Sequence, residues 1–191
     1  MPKLRWLLAI ISLLVFLIVG LRSAERYLTT PGLSIRQYEF ISRHFGERKI
    51  MIHDTPYNDL TDGGIQAKVN LSNNMFQATL LITAALAGLL IAKDKEAGFV
   101  LGKVPELLMF ICAGLLLLLS FVSHWLYLTE VSYMYFFAGQ TYDAHHPSMP
   151  DISDPNINFL LTYQLRYFVF GVLLAFFTFF SAYVLKGGKK P

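Results

Sequence analysis

The longest apolar run of the chain, Leu107 to Leu128, carries no Asp, Glu, Lys or Arg. As a helix it is about 33 Å long at 1.5 Å per residue, enough to cross the hydrocarbon of a bilayer. Its start is marked by Lys103, which stays in water, and by Pro105, whose missing N–H costs nothing in a first turn. Glu106 follows, placed favourably near a positive helix end. Comparable apolar runs cover about 4–21, 75–92 and 167–185. The pattern predicts an all-α membrane protein, a four-transmembrane-helix bundle forming a single integral membrane domain over 1–191, with outer loops 22–74 and 129–166.

Within the first of these, the uncharged stretch Trp6 to Leu21 follows Lys3 and Arg5, as in a secretory leader. The only small-residue cleavage candidate, Arg22-Ser23-Ala24, puts an arginine where a small side chain is wanted, so the run reads as a retained span with Arg5 snorkelling to the boundary. Between the first two spans the pattern turns polar. Ser34-Ile35-Arg36-Gln37 matches a capping box and predicts a helix from Ile35 to Phe45. Lys49 to His53 reads as a short strand, and Ile65, Ala67, Val69 and Leu71 alternate with polar residues, the period of a half-buried strand. With turn formers from Pro56 to Gly64 between them, these predict a small extracytoplasmic α/β region between helices 1 and 2. After Leu128 an aromatic stretch to Phe137 predicts that the third helix continues or bends along the surface, and Gly139 to Pro155 reads as irregular.

Two pairs of small residues, Ala84 with Gly88 and Gly171 with Ala175, stand four apart inside spans two and four. In lipid, helix association depends on close packing, so these are the expected helix-packing positions.

Composition narrows the class further. The chain is 54% hydrophobic and 15% charged, and its formal charge of +3 is divided among tails and loops, so nucleic acid is not an expected partner. The lone Cys112 sits inside an apolar run, and no disulfide can staple the outer loops. The predicted layout divides the 16 Lys and Arg equally, but near the membrane Lys3, Arg5, Lys93, Lys95, Lys103, Lys186, Lys189 and Lys190 on one side face only Arg22, Arg26, Arg36, Lys68 and Arg166 on the other, which places both termini in the cytoplasm by the positive-inside rule. The membrane is read as a bacterial cytoplasmic (cell inner) membrane.

Chemistry is sparse. The sequence Tyr142-Asp143-Ala144-His145-His146 supplies candidate metal ligands in Asp143, His145 and His146. Adjacent histidines in a proline-rich loop are not held on one face as a helical pair four apart would be. Glu130 and Arg166 flank spans three and four on the same outer side and make a candidate structural pair. No phosphate-binding glycine loop, nucleophile elbow, His-Glu-x-x-His or Cys-x-x-Cys occurs. No catalytic residue, cofactor or firm metal site is assigned, and the chain reads more as a non-enzyme than as an enzyme, with the question left open. The expected function is a non-catalytic integral membrane subunit or assembly partner of a larger membrane complex. Its expected partners are the lipid bilayer and a membrane protein or a second copy. The alternatives are a membrane enzyme with an extracytoplasmic metal site, and a small transporter or channel component in which Gln77, Thr83 and Gln164 converge.

Overall fold

The computed structural model describes residues 2–29, 59–91, 93–94, 98–99, 103–142 and 155–184. Four helices account for nearly all of them: α1 (Pro2–Thr29), α2 (Asp59–Ile91), α3 (Val104–Tyr142) and α4 (Pro155–Phe179), the last closing in a π-helical turn over Phe180–Val184. Prolines open α1 and α4 and occupy the second position of α3, where the absent N–H would have had no intrahelical partner. Three helical stretches, Lys3–Arg22, Val104–Ser132 and Asn158–Val184, are long and apolar enough to cross a membrane, which makes this a membrane protein.

The central unit is the antiparallel pair α3 and α4. Against it α1 packs mainly on α3, while α2 packs on both. The α3–α4 contact is close because Gly171 has no side chain: a Cβ built there would lie 2.8 Å from Leu117 Cδ2 and 3.3 Å from the Leu117 backbone nitrogen. Leu86 and Leu89 of α2, Cys112, Ala113, Leu116 and Leu117 of α3, and Tyr163, Tyr167, Leu174 and Ala175 of α4 form the main core. A second cluster of Ile65, Tyr127, Val131 and Leu160 closes the bundle toward the opposite end.

The α/β region expected between helices 1 and 2 is corrected in one part. Ile65 to Ser72 is not a strand but the first half of α2. The alternation was misleading because burial follows a helical period: Ile65, Ser72 and Thr79 are seven apart and buried, whereas Ala67 and Leu71 are exposed. Continuity decides the conformation, since a helix satisfies its own backbone groups all the way into the apolar run that follows. The strand pairing among the described residues joins Lys93–Asp94 to Gly98–Phe99, between α2 and α3. The expected helix Ile35–Phe45 and strand Lys49–His53 lie outside the described residues. The third helix runs on past Leu128 and past Gly139, to Tyr142.

Candidate functional site

Most of the polar side chains buried in the bundle collect at two levels of α3. Glu106 marks one and His124 the other, separated by about 27 Å at the helical rise, close to the thickness of a hydrocarbon core.

At the His124 level three helices meet through hydrogen bonds. Gln164 of α4 donates from Nε2 to the backbone oxygen of Ser72 at 2.9 Å, so its amide oxygen must face the Ser72 hydroxyl, 2.5 Å away. Reversing the amide would set two carbonyl oxygens against each other. Ser72 has a single proton, which it gives to Gln164 Oε1, and its contact with His124 Nδ1 at 2.8 Å therefore requires the ring to be the donor. The ring is held in place by Phe76, stacked at a centroid distance of 4.5 Å, with Phe121 against the other phenylalanine at 5.3 Å. Ser120 donates to the Gln164 carbonyl at 3.2 Å, and farther out Lys68 donates to Asn158 Oδ1 at 2.7 Å. This arrangement superficially resembles a serine activated by histidine. Its proton order is the reverse: His124 donates and Ser72 accepts, so the hydroxyl is not activated as a nucleophile. What it does chemically is join α2, α3 and α4.

At the other level Arg5 of α1 forms an ion pair with Glu106 of α3, Nη1 to Oε1, at 2.8 Å. Arg5 is 6% exposed and Glu106 is not exposed at all. Arg5 therefore does not snorkel to water as its position near the chain start suggested. A carboxylate inside the α1–α3 contact holds it instead. The pair sets the amino ends of α1 and α3 side by side, so these helices run parallel and α4 runs against both. Between the two levels the interior is closed by Met109, Ala113, Leu116, Leu117 and Leu174. The hydroxyls of Ser12, Thr79 and Thr178 each donate to the carbonyl four residues back in their own helix.

The residues singled out from sequence scatter around these clusters. Gln164 is in the network, while Gln77 and Thr83 are exposed, so the three do not converge. Gly171 and Ala175 are buried at the α3–α4 contact, whereas Ala84 and Gly88 face outward, with open space around Gly88. The two small-residue pairs do not meet. Arg166 is exposed and lies over the Tyr163 ring at 5.4 Å from its centroid, and Glu130 is partly buried. Asp143, His145 and His146 lie outside the described residues. Among the described residues no group of three His, Cys, Asp or Glu side chains is placed to hold a metal. Sequence reasoning missed Ser72, Arg5 and Glu106 as partners. The signal for Ser72 was its place seven residues before Thr79 and after Ile65 on one helical face. For Arg5 and Glu106, opposite charges one turn inside two spans were the available clue. No family model matches the chain, and no curated protein or solved structure matches it.

Proposed function

We propose that this chain is a non-catalytic integral membrane subunit that crosses a bacterial cytoplasmic membrane four times, with both termini in the cytoplasm, and assembles with another membrane protein or a second copy. The observation that carries the reading is the division of labour on α2. One face, Ile65, Ser72, Met75, Thr79, Leu86 and Leu89, is buried against α3 and α4, while the opposite face, including Ala84 and Gly88, is left outward.

Three further features support it. Ser72 lies beside His124 at one end and Leu89 joins the core with Cys112 at the other, so α2 runs alongside α3 through most of the apolar thickness. The parallel setting of α1 and α3 suits a chain in which odd-numbered spans run one way and even-numbered spans the other. The polar clusters are spent on holding helices together, and among the described residues the interior between them is lined mainly by Met109, Ala113, Leu116, Leu117 and Leu174.

Extraction in mild detergent tests the reading through Gly88→Leu. Because a Cβ at Gly88 meets nothing within 4 Å and the position faces outward, the variant should keep its own heat stability while losing whatever co-purifies with the native protein. If the native chain is extracted alone, without a partner or a second copy, the subunit reading fails.

A further inference from the structure

The outward face of α2 is not simply apolar. Asn70, Asn74, Gln77, Leu81, Ala84 and Gly88 are all exposed, and they follow one another at intervals of four and three residues, the spacing of a helix–helix seam. They lie opposite the buried stripe of Ile65, Ser72 and Thr79. Ser72 is level with His124, and Gln77 is five residues farther along the helix, so its Cα stands about 7 Å deeper than that level. An amide facing hydrocarbon lacks the hydrogen bonds that water would give it, so a second helix with its own polar groups is the favourable cover. Beyond Gln77 the stripe continues through small Ala84 and Gly88, where backbones can approach closely.

We infer that this stripe is a homodimer interface, in which α2 packs in parallel against α2 of a second copy about a two-fold axis normal to the membrane. The inference rests on the reading that α2 crosses the membrane. The chemistry selects a second copy over a foreign helix. Across such an axis each residue meets its own counterpart, and Asn and Gln amides both donate and accept, so Asn74 meets Asn74 and Gln77 meets Gln77 at matched depth without further design. The stripe carries no charge that would repel itself. A polar residue at a seam position also fixes register, because sliding by one seam position would set Gln77 of one copy against Leu81 of the other.

Single cysteines in a Cys112→Ala background, oxidised in native membranes, test this. Asn74→Cys, Gln77→Cys, Leu81→Cys and Ala84→Cys should give several-fold more disulfide-linked dimer than Leu80→Cys and Ala85→Cys, which are exposed but off the seam. In the same membranes Asp94→Cys should be shielded from an impermeant thiol reagent applied outside. If Asp94→Cys is shielded but no position cross-links, or if seam and off-seam positions cross-link equally, the dimer is overturned and the four-span reading stands. If Asp94→Cys reacts from outside while a cysteine at Asp59 also does, α2 does not cross and both fall.

Discussion

Replacing glycine by alanine at two positions of the bundle should have opposite effects, and the structure says by how much. Both Gly88 and Gly171 lie within helices, so alanine gains about 1 kcal/mol of helix propensity at either site. At Gly88 nothing lies within 4 Å of the new methyl group, and the gain is unopposed in a single copy. At Gly171 the methyl would sit 2.8 Å from Leu117 Cδ2, 3.0 Å from its Cγ and 3.3 Å from its backbone nitrogen. Leu117 is itself only 1% exposed, so its side chain cannot turn out of the contact, and its backbone nitrogen can give way only if the two helices separate slightly. Overpacking of this kind costs about 1–3 kcal/mol. Gly171→Ala should therefore be destabilised by about 0–2 kcal/mol net, and by about 1–3 kcal/mol relative to Gly88→Ala. At about 2–4 °C per kcal/mol, the two variants should differ by several degrees in thermal unfolding, measured in a detergent that holds the chain as a single copy. Equal stabilisation by the two substitutions would refute the close α3–α4 approach at Gly171.

Three other perturbations separate structure from chemistry. Glu106→Ala strands Arg5 in the α1–α3 contact and should cost about 3–5 kcal/mol, whereas Arg5→Met with Glu106→Met should restore most of that stability; a double variant as unstable as the single one would contradict burial of the pair. Ser72→Ala removes the acceptor of His124 and the donor to Gln164 together and should cost about 1–3 kcal/mol in unfolding by denaturant, with no cost telling against the three-helix network. His145→Ala with His146→Ala should leave assembly and cellular phenotype intact; loss of phenotype at normal abundance and normal complex formation would favour an extracytoplasmic metal-site enzyme.

The helical layout was legible where one physical signal dominated. The uninterrupted apolar runs of α1, α3 and α4 read directly as spans, because length and apolarity suffice for that. The stretch from Ile65 to Leu71 did not read correctly, since seven residues of alternation fit a strand and part of a helix equally well. Only the continuation into Met75 and beyond, with Ser72 and Thr79 on the buried side, distinguishes them. The polar clusters were less legible still. Ser72, His124 and Gln164 come from three helices, and their meeting depends on helix register, which is set by packing such as Gly171 on Leu117. Arg5 reads singly as a side chain that snorkels to water and Glu106 as a charge near a positive helix end, and their pairing depends on α1 and α3 setting their amino ends side by side. The outward pair Ala84 and Gly88 was visible as a close-packing face, but which neighbour it faces depends on the rotation of α2 about its axis.

Everything said of orientation and assembly turns on whether α2 crosses the membrane, and thiol accessibility in intact cells measures this most directly. Single cysteines at Asp59, before the apolar half of α2, at Asp94, after it, and at Ser148, between α3 and α4 in sequence, are probed with an impermeant reagent. The account predicts reaction at Asp59 and Ser148 and none at Asp94 until the membrane is opened. Labelling at Asp94 with protection at the other two would invert the topology, and equal labelling of Asp59 and Asp94 would remove α2 from the membrane.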